Sequence, residues 1–65
     1  MALIWKPDDS FPGAQHAFTE DGSELISFPD GAWEIFDKAD ILISQGMAES
    51  LEAAKKATEA MIASL

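Results

Sequence analysis

The side chains that could do chemistry in this chain are few, and most of them are acids. His16 is the single histidine, and cysteine is absent. A general base needs a nucleophile or a substrate proton within hydrogen-bond reach, and no serine sits in the strand–turn–helix setting of a nucleophile elbow. His16 therefore reads as a loop or surface residue. Asp8-Asp9 and Glu20-Asp21-Gly22-Ser23-Glu24 could offer oxygens to a hard cation, but they lack the alternating carboxylates and glycine of an EF-hand loop. Their ordinary role is that of solvated turn acids. Two carboxylates for glycoside hydrolysis need a cleft between them, which a chain of 65 residues rarely makes. No catalytic residue, metal site or cofactor is expected, and the chain does not read as an enzyme.

The charge balance is the strongest chemical signal. Twelve acids stand against 4 lysines, giving a net charge of −8, and arginine is absent. Residues 1–50 hold 10 of the acids and 2 of the lysines, so the last 15 residues are neutral. Such a surface repels nucleic acid and steers basic partners across a Debye length. Direct DNA or RNA binding is not expected, since it needs a basic stripe. The residues to consider for partner binding are Glu20, Asp21, Glu24, Asp30, Glu34, Asp37 and Asp40. On strands about 4.8 Å apart they could form rows with a spacing comparable to nucleic-acid phosphates. The plainer role of these acids is to keep a small protein in solution.

The elements that must position these acids follow from periodicity and turn residues. Leu51 to Ser64 contains neither Gly nor Pro and is rich in Ala, Glu, Lys and Met, so it predicts a helix capped by Ser50. Its apolar stripe is Leu51, Ala54, Thr58, Met61, Ile62 and Leu65, with Ala57 at the edge. Glu52 with Lys56, and Lys55 with Glu59, are spaced for i,i+4 pairing.

Upstream, strands are predicted over Ala2–Lys6, closed by Pro7, then over Glu24–Phe28, Ala32–Phe36 and Ile41–Ser44. Residues 14–19 could be strand or loop. Glu20–Ser23, Phe28-Pro29-Asp30-Gly31 and Asp37–Asp40 are turns. The expected fold class is α+β: a small antiparallel meander of three to four strands covered by one C-terminal helix. Trp5, Ile26, Phe28, Trp33, Ile35, Ile41 and Ile43 are expected to face the helix. Leu25, Ser27, Glu34, Phe36 and Leu42 are expected on the other face.

The chain is short enough for one domain, residues 1–65, and a fold of this size is marginally stable. No apolar run approaches a membrane span, and the start lacks the basic and apolar regions of a signal peptide. A cytoplasmic protein without membrane contact, monomeric or weakly homodimeric, is expected.

Leu3-Ile4-Trp5-Lys6, the strand around Trp33, and Gly46-Met-Ala-Glu-Ser50-Leu51-Glu-Ala-Ala-Lys55 together resemble a class of small phage and prophage proteins with a short sheet followed by a helix. In size and acidity the chain also resembles anti-CRISPR proteins that imitate double-stranded DNA and block target recognition by a type I surveillance complex. That resemblance implies a non-catalytic inhibitor. Its acids would meet lysines and arginines of a basic DNA-binding protein, such as a subunit of the surveillance complex, near the protospacer-adjacent motif. The alternative is a phage accessory or assembly module acting by protein–protein contact or by homodimerisation through Leu25, Phe36 and Leu42.

Overall fold

The structure, a computed structural model, describes residues 3–64. Ala2 at the start of the first expected strand and Leu65 at the end of the helical stripe lie outside the described residues.

Turn chemistry sets the topology. In Phe28-Pro29-Asp30-Gly31, Pro29 presets φ at the first central position, and the Gly31 N–H donates to Phe28 O at 3.0 Å. Gly31 has φ +97°, and a side chain there would collide with the Ala48 carbonyl. Aspartates brace the turns through their own backbone. Asp30 Oδ1 accepts from Ala32 N at 3.0 Å, and Asp37 Oδ1 accepts from Ala39 N at 2.9 Å and Ile41 N at 3.0 Å. Asp40 takes the left-handed conformation at φ 69°, which aspartate tolerates better than most residues.

These turns fold the chain into an antiparallel meander with strand order β1-β2-β3-β4-β5: β1 (Lys6–Pro7), β2 (Gln15–Phe18), β3 (Glu24–Ser27), β4 (Ala32–Phe36) and β5 (Leu42–Met47). Helix α1 (Leu51–Ser64) packs on β3 and β4. The fold is thus α+β, with five strands rather than three or four. Residues 15–18 pair with β3 along their whole length and supply the fifth strand, while the strand expected over Ala2–Lys6 and closed by Pro7 is instead Lys6–Pro7, with residues 3–5 outside the sheet. The missing N–H of Pro7 is tolerated at a sheet edge.

Two expectations about faces are corrected. In β3, Leu25 and Ser27 lie under the helix with no exposure, while Ile26 pairs with His16 and Glu34 on the open face. Ser27 tolerates burial because its hydroxyl donates to Leu51 O at 2.7 Å. In β5, a bulge opposite Ile35/Phe36 resets the alternation. Ser44 and Gly46 therefore pair with the helix-side residues Ile35 and Trp33, and Ile41 and Ile43 stay exposed at 59% and 43%.

The core is Leu25, Trp33, Ile35 and Ala54, flanked by Leu3, Trp5, Ala57, Met61 and Ile62. Ser50 caps α1, its Oγ accepting from Ala53 N at 3.1 Å. Glu52 pairs with Lys55 at 3.1 Å rather than with Lys56. Glu59 instead accepts the Trp5 indole N–H at 3.0 Å, and the Lys55 ammonium lies 5.6 Å from the centre of the Trp5 ring. No helix among the described residues is long and apolar enough to cross a membrane.

Candidate protein-binding face

The helix covers one face of the sheet, and the other is open. Register decides what the open face carries. One row across the strands is Lys6, His16, Ile26, Glu34 and Gln45; the next is Phe18, Glu24, Phe36 and Leu42. Phe18, Leu42 and nearby Ile4 are exposed at 58%, 41% and 73%. A groove of about 520 Å³ runs along this face between Ile4, Lys6, His16, Phe18 and Glu20. A smaller one of about 340 Å³ lies beside Phe11, Phe28 and Pro29. There the Phe11 and Phe28 rings meet edge to face at 5.1 Å.

His16 sits on β2 and is half-buried, not in a loop. Its Nδ1 lies 3.6 Å from Glu24 Oε2 and 3.9 Å from Asp8 Oδ2. Its ring is tilted against Phe18 with centroids 5.4 Å apart. The imidazole therefore bridges two carboxylates and an aromatic ring within the face. No group of three or more His, Cys, Asp and Glu among the described residues is placed to hold a metal ion.

The acids considered for partner binding divide into three places. Glu24 and Glu34 stand on the open face. Glu20 and Asp21 in the β2–β3 turn, and Asp37 and Asp40 in the β4–β5 turn, share one end of the sheet. The two turns touch there, since a Cβ on Gly22 would lie 3.2 Å from the Lys38 Cβ. Asp30 belongs to the opposite end, where Gly13 packs on Pro29 and the β3–β4 turn meets the start of α1. Five residues of β4 at about 3.4 Å each put roughly 17 Å between the two ends.

Several of these carboxylates are engaged by their own turns. Asp21 accepts from the Thr19 hydroxyl and from Ser23 N at 3.2 Å. The Thr19 hydroxyl above all, and then the Ser23 N–H, hold the Asp21 carboxyl below its ordinary value. Asp30 and Asp37 brace their turns as described, which leaves Glu20, Glu24, Glu34 and Asp40 as the acids whose carboxylates accept no hydrogen bond among the described residues, Glu24 meeting only His16 at 3.6 Å.

Phe36 and Leu42 were expected on the open face, and the structure adds Phe18 and Ile26 to them in place of Leu25. The signal for Ile26 was the unbroken apolar pair Leu25-Ile26, which puts a large residue on each side of β3 whichever face the helix takes. No protein-family model, curated protein or solved structure matches this chain. The fold and the face together define a class in physical terms: a five-stranded meander with one covered face, and an opposite face that offers apolar side chains beside an acidic end.

Proposed function

We propose that the protein is a non-catalytic inhibitor that docks on a basic, nucleic-acid-handling protein through the open sheet face and the acidic end beside it. One observation carries this reading: Phe18, Ile4 and Leu42 are exposed on a face that also bears Glu24 and Glu34 and adjoins the Glu20/Asp21 and Asp37/Asp40 turns. Apolar side chains at the centre of a contact supply affinity, and acids at its margin supply steering and orientation. The charges are not one unbroken row, because Asp30 lies at the far end. DNA imitation on this reading is confined to the open face and the near end. The most concrete partner is a DNA-binding subunit of a type I CRISPR surveillance complex, in keeping with the chain's anti-CRISPR-like size and acidity.

The test is retention of that complex on the immobilised protein at low and high salt, with and without duplex DNA. Retention lost at high salt and competed by DNA is expected. Reversal of Glu20, Glu24 and Glu34 should abolish it, and these are the informative positions because Asp21, Asp30 and Asp37 also hold turns. Retention indifferent to salt and to DNA would overturn the reading.

A second reading, an accessory or assembly module, is favoured by the apolar strip itself. It needs a revised surface, since Leu25 is fully buried and only Phe36 and Leu42 of the expected residues reach the open face. Binding to phage structural proteins that persists at high salt would support it.

A further inference from the structure

The open face is not flat along its β1 margin. β1 pairs with β2 through Pro7–Gln15 and Lys6–His16 and then stops. The same register would set Ile4 opposite Phe18, but residues 3–5 run outside the sheet. The Trp5 indole bond to Glu59 ties this segment to the helix layer instead. A strand that leaves its neighbour opens a fork. The groove of about 520 Å³ lies in this fork, with Ile4 on one wall and Phe18 on the other.

The fork has a chemical polarity. Lys6 and His16 stand at its closed end, Thr19 and Glu20 at its open end, and Ile4 and Phe18 between them. His16 and Phe18 are two residues apart on one strand, a step of about 6.7 Å. The His16 ring supports Phe18 from one side, 5.4 Å between centroids, yet Phe18 stays 58% exposed. Glu20 is exposed and, unlike Asp21 beside it, spends no oxygen on its own turn among the described residues. Among those residues Lys6 is in no ion pair.

Resting on the reading of this face as a docking surface for a basic protein, we propose that the fork receives one arginine side chain of the partner. Its aliphatic stem lies between Ile4 and Phe18, and its guanidinium meets Glu20. A long side chain with an apolar stem and a charged head fits an apolar channel that ends in an acid. Guanidinium is planar and weakly hydrated, so it stacks on an exposed aromatic ring and forks onto a carboxylate, which the compact, strongly hydrated ammonium of lysine does less well.

Charge sets both the direction and the source of this side chain. Lys6 at the closed end repels a cation towards Glu20, and its ammonium can donate to a carbonyl of the incoming backbone. The net charge of −8 raises the local concentration of cations around the whole molecule. The occupant is foreign, because this chain has no arginine and a second copy cannot supply one.

The test uses hexaarginine and hexalysine as probes, which carry equal side-chain charge and differ in the head group. Amide signals followed by NMR should move first at Phe18, Thr19 and Glu20. Hexaarginine should bind about two- to fivefold more tightly than hexalysine. Phe18→Ala should remove that preference with an unchanged circular dichroism, because Phe18 is exposed. Glu20→Gln should weaken both probes by up to about fivefold. Glu49→Gln removes the same charge at the opposite end, where Gly31 meets Ala48 and Ser50, and should weaken them far less. Equal affinity for the two probes would overturn the proposal, as would no binding, or signals that move first at the Asp37–Asp40 turn. Dodecanoate bound in the fork in place of both peptides would overturn it in favour of an apolar anion held by Lys6. These outcomes leave the proposed function standing, since that is read from retention of the surveillance complex. Loss of that retention beside an intact hexaarginine result would overturn the proposed function and not the arginine site.

Discussion

The two faces of this one sheet use the same apolar residue types and meet opposite fates. Leu25 and Ile35 lose all exposure beneath α1, whereas Ile4 and Phe18 on the other side keep most or much of theirs. Charge separates the faces, since Lys6, His16, Glu24 and Glu34 all lie on the open one, and side-chain size separates them too. The covered face interleaves Ala17, Ser27 and Gly46 with its large residues, and the helix answers with Ala54, Ala57 and Thr58. Small residues let a helix lie close to a sheet, and close approach is what gives Leu25 and Ile35 their full set of contacts. The open face sets large side chains side by side, and a flat, bulky surface of that kind is suited to a partner from outside.

The contrast can be broken most sharply at paired positions in β3 and β4. Ile35→Ala or Leu25→Ala should cost about 2–5 kcal/mol, enough to unfold much of so small a protein, as read by urea denaturation. Ile26→Ala or Phe18→Ala should stay within about 1 kcal/mol of the parent while removing partner binding. Equal losses on both faces would mean that the open face is also core.

Gly46→Ala tests the small-residue argument. The new Cβ would lie 2.6 Å from Trp33 Cζ2, so the indole must move. A loss of about 1–3 kcal/mol is expected, with a red-shifted tryptophan emission. Ser50→Ala removes the hydroxyl that caps α1 and should cost about 1 kcal/mol, with a lower helical signal on heating.

The smallest effect concerns Asp21. Its carboxyl is held below the ordinary 3.8 in the folded chain, so its contribution is fully present above that value. The contribution is lost as pH falls below 3.8 and through the folded value. Asp21→Asn should flatten the acid limb of a stability–pH curve in that window by slightly lowering stability at neutral pH and leaving the acid end nearly unchanged.

How much of this was legible in the sequence follows from the kind of signal each element sends. The helix was legible almost to the residue. Ser50 is a strong cap, and nothing from Leu51 to Ser64 interrupts the turn-by-turn pattern. The Pro29-Asp30-Gly31 turn and β4 were legible because their chemistry is local. The face of β3 was not, because Leu25-Ile26 and Ser27-Phe28 fit either orientation. The choice falls to a hydrogen bond from Ser27 to Leu51 O across the layer, and no local pattern encodes it.

The bulge in β5 is invisible for the same reason, since it answers to the register of β4. The acids were legible as turn acids and as a surplus of charge. What composition could not reveal is that Asp21, Asp30 and Asp37 spend oxygens on their own backbone while Glu20, Glu24 and Glu34 do not.

The indole–carboxylate contact between Trp5 and Glu59 also bears on the order in which the chain folds. Each strand pairs with its neighbour in sequence, so every hairpin closes a short loop and can zip without waiting for distant parts of the chain. The Trp5–Glu59 bond joins residues 54 apart and requires both the N-terminal segment and the seated helix. By this loop-closure argument the bond should form after the sheet is assembled. The two tryptophans should then report different events in refolding fluorescence: Trp33 the packing of sheet and helix in the core, and Trp5 the closing of the N-terminal segment onto the helix.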